Sequence, residues 1–434
     1  LRTTFPAVEG EPRQVVVDVD RFAILVEDLT ALSESERGTA IGRYAEAQAQ
    51  RPFHLDRDLP IRALLLRVSA DAHILLVTVH HIAADAWSLA MVTHEVATIY
   101  NALANEVEGA GMQSGDEPET LLPALPVQYR DFAVWQRQWL QGALLEREIG
   151  YWKQRLGSTP PQLMLPTDHA RPERQSYRGG RLTFHVPGEI LEPLRRLSRR
   201  QGVTLFMTLL AAFKLLLSKF SGQTDILVGT DVANRNRAET EQLVGFFVNL
   251  LPLRTDLSGN PSFVQLLGRV RETALGAYAH QDGPFEKIVD SLKLTRDLGR
   301  NPLVQVLFVL QNVPPPSLQL AGVNVESLEF EHEVSRFDVG LFMEETEDGC
   351  AGLWKFSRDL FEPQTIAGWT QRFLRLLQQI GLSPECGIET LEMDDAEVKE
   401  ARRMETKQRN DERLQRFKAI KPKPVALAQR TLVT

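Results

Sequence analysis

The chain has 434 residues, 43% hydrophobic and 24% charged, with a formal net charge of −8. That length exceeds what one hydrophobic core serves, so two domains with appendages are expected. The acidic balance carries no footprint for nucleic acid, and neither a membrane-length apolar run nor a signal peptide is visible. The two cysteines, Cys350 and Cys386, have no metal-ligand spacing, which speaks against a disulfide scaffold or a zinc site and for a reducing, cytoplasmic setting.

In chain order, residues 62–68 and 74–79 read as a hairpin across Ala70-Asp71-Ala72. The second run is rich in Ile, Leu and Val, as a buried strand is. A helix is predicted over 85–103, with Leu89, Val92, Val96, Ile99 and Leu103 on one face and Asp85 as its cap. Residues 105–127, rich in Gly, Pro and acids, read as a surface loop. A second helix, 129–155, carries Phe132, Trp135 and Trp139.

Pro160-Pro161 and Pro166 mark a linker between two lobes. Beyond it come a strand at 181–186 and a helix at 190–201 that ends on Gly202. Residues 204–220 form a helix apolar on nearly every side, hence buried. Further strands are expected at 225–229, 246–253, 303–311, 337–345 and 352–357, the last two flanking the turn Glu347-Asp348-Gly349. A final helix, 363–380, stops at Gly381. Residues 396–423 are crowded with Glu, Lys and Arg, and Lys421-Pro422-Lys423-Pro424 follows closely, as in a charged linker or docking tail. The boundaries expected are thus 1–158, 159–385 and a tail of 386–434.

The most informative stretch is His80-His81-Ile82-Ala83-Ala84-Asp85-Ala86-Trp87-Ser88, between the apolar strand and the following helix. Successive strand side chains point to opposite faces. His80 and His81 therefore cannot share one cleft or one metal ion; one is expected to be structural and the other available for chemistry.

This His-His-x-x-x-Asp pattern resembles the signature of nonribosomal peptide synthetase condensation domains, members of the chloramphenicol acetyltransferase-like superfamily. Further segments resemble that family in its own order: Leu1-Arg2-Thr3-Thr4-Phe5, Tyr129-Arg130-Asp131-Phe132-Ala133-Val134-Trp135, Val244-Gly245-Phe246-Phe247-Val248-Asn249, His280-Gln281-Asp282-Gly283-Pro284-Phe285-Glu286, and Arg296-Asp297-Leu298-Gly299-Arg300-Asn301-Pro302-Leu303. The wording over 244–311 is most similar to the subtype joining an L-configured donor to an L-aminoacyl acceptor.

The resemblance implies an α/β fold of two acyltransferase-like lobes in a V, with a tunnel between them. The family's first motif is missing, so the amino-terminal lobe is expected to be incomplete. It implies amide formation between a donor acyl thioester and the amine of an acceptor aminoacyl thioester. Both ride on phosphopantetheine arms of carrier proteins, and this chain binds no cofactor or metal itself. An ester-forming acyltransferase and a non-catalytic domain that recruits a tailoring enzyme are the alternatives. Upstream and downstream carriers and neighbouring synthetase domains are the expected partners.

By resemblance His81 is the base or positioning group. Asp85 shapes the site, paired with Arg62 of the adjacent strand. His80, Ala86 and Trp87 support it. Asn249, Gln281 and Ser335 are substrate-channel candidates. Ala86 stands where the family usually has Gly, and is expected to sit harmlessly in the first helical turn. Leu250 replaces a usual Thr and Gly299 a usual Ser.

Overall fold

The computed structural model describes residues 1–19, 22–107, 121–295, 297–311, 318–328 and 334–393. The charged segment from 396 onward, most of the loop expected at 105–127, and Arg296 lie outside those residues.

The chain opens with four two-residue strands, β1 (Thr3–Thr4), β2 (Ala7–Val8), β3 (Glu11–Pro12) and β4 (Val15–Val16), pairing β1 with β4 and β2 with β3. Glu9 and Gly10 join β2 to β3 with φ of 54° and 82°, the two positive values that a two-residue hairpin of matching twist requires.

A three-stranded sheet follows: β5 (Leu25–Asp28), β6 (Ile61–Arg67) and β7 (His73–Val79), with β5 parallel to β6 and β6 antiparallel to β7. The expected hairpin is present, its turn held by the Ser69 hydroxyl, which accepts from the N–H groups of Asp71 and Ala72. The parallel crossover is α1 (Glu34–Gln50). It buries Ala40 and Ala45 against Leu64, Leu66 and Leu76 in a small separate core.

Next come α2 (Ala86–Val107), α3 (Tyr129–Trp139) and α4 (Gly142–Leu156). The single helix expected over 129–155 is therefore two. The chain turns at Gly142, whose φ of 55° only glycine adopts without strain. Trp152 and Leu156 of α4 are buried in the core of the second sheet.

That second sheet is assembled from β8 (Gly179–Pro187), β9 (Asp225–Val232), β10 (Asn249–Asp256), β11 (Val306–Gln311), β12 (Val339–Thr346) and β13 (Gly349–Ser357) in the order β10-β9-β11-β12-β13-β8. Strand β11 is parallel to both neighbours and the other pairings are antiparallel. The connecting helices are α5 (Gly188–Gln201), α6 (Leu205–Ser221), α7 (Ala238–Glu241), α8 (Phe263–Ala279), α9 (Phe285–Leu292) and α10 (Pro363–Leu382).

Helix α6 is buried without interruption from Met207 to Leu217, as its all-round apolarity predicts, and the Thr204 hydroxyl caps it by accepting from the Met207 N–H. Its one charged residue in that span, Lys214, is fully buried and donates to the Leu253 carbonyl at 2.6 Å and the Thr255 hydroxyl at 2.8 Å. Burial pushes its pKa well below the usual lysine range.

Gly381 is not the stop expected for the last helix: α10 runs through it to Leu382. A Cβ there would lie 2.9 Å from the Pro193 Cβ of α5, so this glycine serves close helix packing instead. The core also extends past 385, taking in Ile388 and Leu391. Among the described residues no single helix is long and apolar enough to cross a membrane.

Phe213 is fully buried among Phe308, Trp354 and Phe373. Phe213→Ala should destabilise the protein by about 3–5 kcal/mol through lost contact and residual cavity. Urea unfolding reads this directly, and an unchanged midpoint would contradict the packing described.

Candidate active site

Strand β7 ends at Val79, opposite Ile61 of β6, and the next two residues leave the ladder in a turn. The His80 N–H still reaches back to the Pro60 carbonyl at 2.8 Å. His80 is half-buried; its Nδ1 accepts from the Ile82 N–H at 3.1 Å and its ring meets Phe53 edge-on. An Nδ1 that accepts must carry no proton. Burial, then the Arg336 and His81 charges, lower its pKa and favour that neutral form. His81 is exposed, and its ring stands at 89° to the Phe246 ring with 5.2 Å between centroids.

Asp85 sits one residue before α2, and its Oδ1 accepts from the Ser88 N–H at 2.8 Å, the cap expected of it. The expected partner is different. Asp85 pairs with Arg235, at 3.1 Å, and the two side chains are only 4% and 2% exposed. Arg62 faces the other way. It donates to the backbone carbonyls of Gln48, Arg51 and Pro52, and its guanidinium lies 4.0 Å from the centre of the Phe53 ring. Arg62 thus ties β6 to the end of α1. The expectation failed because closeness in the hairpin does not set side-chain direction, and the segment after a distant strand supplied a cation on the correct side.

The pair is enclosed by a dense polar network. Arg235 also donates to the Ser88 hydroxyl at 2.8 Å and to the carbonyls of Thr240 and Leu243. The Ser88 Oγ lies 2.7 Å from the Gly245 carbonyl and accepts from the Gly245 N–H at 3.0 Å. The Phe247 N–H donates to the second Asp85 oxygen at 3.0 Å. Burial opposes ionisation of Asp85, but Ser88, Arg235 and the Phe247 N–H outweigh it and hold its carboxyl below the usual range.

Aromatic contacts close the cluster. The Arg235 guanidinium lies over Phe247, 4.1 Å from its ring centre. The Trp87 Nε1–H donates to the Glu241 carbonyl at 2.8 Å. The Tyr129 hydroxyl donates to the Phe246 carbonyl at 2.8 Å. Its ring lies where a Cβ on Gly245 would be 2.0 Å away, so only glycine fits at 245. Ala86 has no positive φ and is an ordinary first-turn residue of α2, as expected.

The channel candidates are placed as follows. The Asn249 amide donates to the Gln281 and Gly283 carbonyls at 2.8 and 2.9 Å, and its oxygen accepts from the N–H groups of Leu250 and Phe285. All its capacity is used in joining β10 to the turn before α9. The Gln281 side chain donates to the Tyr278 carbonyl. Ser335 is buried and donates to the Phe337 carbonyl at 2.7 Å. None of the three is linked to His81 by a hydrogen bond.

Sequence reasoning missed Arg235, Ser88 as a network member, and the Phe247 amide. Arg235 lies in Ala233-Asn234-Arg235-Asn236-Arg237, where two arginines look equally solvated. No local periodicity marks the buried one. Among the described residues no group of three or more His, Cys, Asp or Glu is placed to hold a metal ion.

Comparison with known proteins bears on this arrangement. The family model for the Condensation domain matches residues 1–401. One component of the linear gramicidin synthase of Brevibacillus parabrevis is 43% identical over 393 residues, covering 90% of this chain and 5% of that protein. The chain therefore spans only a small part of such relatives. Among solved structures, the complex of the X-domain and OxyB from teicoplanin biosynthesis matches with a TM-score of 0.79 at 28% identity, covering 91% of this chain and 85% of that one. A four-domain nonribosomal peptide synthetase bound to AMP and glycine matches with a TM-score of 0.78 at 21% identity, covering 91% of this chain and 30% of that one.

Double-mutant cycles on unfolding free energy should separate the two arginines. Asp85 and Arg235 should show strong coupling, with Arg235→Met alone costing about 3–5 kcal/mol because it strands a buried carboxylate. Asp85 and Arg62 should be additive. The pH dependence has a definite sign. A depressed folded-state pKa gives stability that is present above the unfolded carboxylate value and lost as pH falls. The deficit of Asp85→Asn should therefore shrink below about pH 4.

Proposed function

Because the chain belongs to the condensation-domain family, we propose that it forms an amide bond between a donor acyl thioester and the amine of an acceptor aminoacyl thioester. The observation that carries this reading is the exposed imidazole of His81, placed at the end of β7 immediately before a buried clamp. Both substrates would arrive on phosphopantetheine arms of carrier domains.

The chemistry asks little of the protein beyond alignment and one proton transfer. The acceptor amine attacks the thioester carbon, the C–N bond forms and the C–S bond breaks. The donor arm leaves as a thiolate that takes up a proton. Holding both partners in register contributes about 7–11 kcal/mol in favourable cases. A neutral imidazole near pH 7 suits the proton taken from the amine. In this reading His81 is that base, or the group that orients the amine. His80 with its Nδ1 bond, Trp87 and the Asp85–Arg235 pair keep the turn in place. Asn249 brackets β10 to the turn before α9, Gln281 and Ser335 donate to backbone carbonyls, and in this reading the three line the substrate channel.

A second reading has one observation in its favour. The fold likeness to an X-domain solved with OxyB raises a non-catalytic domain that recruits a tailoring enzyme. The accessible His81 and the intact clamp favour catalysis, since recruitment needs neither.

Intact-protein mass spectrometry of a loaded acceptor carrier, mixed with a loaded donor carrier, tests the choice. The wild type should transfer the donor acyl group, and His81→Ala should slow this about 10²–10⁴-fold with its melting curve unchanged. No transfer by folded wild-type protein would move the assignment to recruitment.

A further inference from the structure

An imidazole that handles a proton is usually oriented by a hydrogen bond at its other ring nitrogen. His80 has such a bond, accepted at Nδ1 from the Ile82 N–H. His81 has none: among the described residues no hydrogen bond or ion pair reaches its ring. An exposed histidine held by nothing else samples several staggered χ1 wells and a broad χ2. The aromatic ring that stands against it is Phe246, at 89° and 5.2 Å between centroids.

Phe246 is held in a way that serves this contact. The Gly245 N–H donates to Ser88, the Phe246 carbonyl accepts from Tyr129, and the Phe247 N–H donates to Asp85. Phe247 turns inward, its ring 4.7 Å from that of Phe132 and 5.1 Å from that of Tyr129, beneath the Arg235 guanidinium. Phe246 turns the other way and stays 37% exposed. Leaving a phenyl ring that open to water is unfavourable. The perpendicular arrangement with His81, which the ring quadrupoles favour, offsets part of that cost. The backbone carrying Phe246 is fixed by the buried clamp, whereas the imidazole it meets has no other tether. The fixed ring therefore decides where the free one points.

We infer that Phe246 is the positioning residue of the site: its ring confines the His81 imidazole to one orientation, in place of the hydrogen bond that steers most proton-handling histidines. Such a contact leaves both ring nitrogens uncommitted, so one is open to take a proton from an incoming amine. The inference rests on the amide-forming reading for what the imidazole does, and stands without it for where the imidazole is held.

Two measurements on the full chain test it. In NMR spectra of protein carrying ring-labelled histidine, the His81 C–H signals are assigned by their loss in His81→Ala. They should move in Phe246→Leu and stay near their wild-type positions in Phe246→Tyr, which keeps a ring. In transfer between loaded carriers, Phe246→Ala should lower kcat about two- to tenfold, the population change that one aromatic pair supports, with KM for the acceptor carrier unchanged. Phe246→Tyr should restore the rate, and in a His81→Ala background Phe246→Ala should cost nothing further. His81 signals that do not move in Phe246→Leu would overturn the inference and leave the amide-forming reading intact. A raised KM at unchanged kcat, or the full Phe246→Ala penalty in the His81→Ala background, would overturn it too, since the ring would then act on the substrate. Wild-type protein that transfers nothing, while its His81 signals move in Phe246→Leu, would overturn the amide-forming reading and support the placement of His81.

Discussion

The buried contact between Asp85 and Arg235 is the constraint on which the site depends. Placing two opposite charges where both side chains are at most 4% exposed is unfavourable unless nearly every polar atom around them is satisfied. Here that demand recruits the start of α2 through Ser88, α7 through Thr240, the segment after α7 through Leu243, and the approach to β10 through Gly245 and Phe247. These are helix ends and connecting chain that no sheet ladder holds together. The ion pair does for them what a hydrogen-bonded sheet does for strands. His81 is placed by consequence, four residues upstream of a carboxylate that cannot move far without stranding a charge.

The same demand explains where secondary structure stops. Sequence patterning predicts a strand over 246–253, yet β10 begins at Asn249. The Phe247 N–H is given to Asp85 and the Phe246 carbonyl to Tyr129, so neither group is free to enter the β9 ladder. Tertiary bonding wins over β-propensity at these two residues. The helix expected across 129–155 breaks for a different reason, one glycine at positive φ that redirects Trp152 into the larger core.

What the sequence made legible was local. The hairpin at 62–79, the buried helix around Phe213, the turn before Gly349 and the capping role of Asp85 all follow from periodicity and turn chemistry acting within a few residues. The partner of Asp85 was not legible, because the choice between Arg62 and Arg235 is made by the direction in which β6 presents a side chain and by a segment 150 residues away. Asn249 shows a related limit. Its residue type fits both a channel wall and a structural bracket, and only its four protein hydrogen bonds decide for the bracket.

The division of labour between the two histidines follows from the same local geometry. A histidine that accepts a backbone N–H at Nδ1 and packs edge-on to Phe53 has one ring nitrogen committed and little room to turn. Its neighbour emerges from the same turn with its ring braced on one side by Phe246 and otherwise open. A thioester is already activated, so a site acting on it gains more from holding an imidazole in one place than from making it a stronger base. On the amide-forming reading proposed above, rigid backbone on one side of His81 and open surface on the other suit that chemistry. The buried ion pair supplies that rigidity while keeping its own two charges inside the protein.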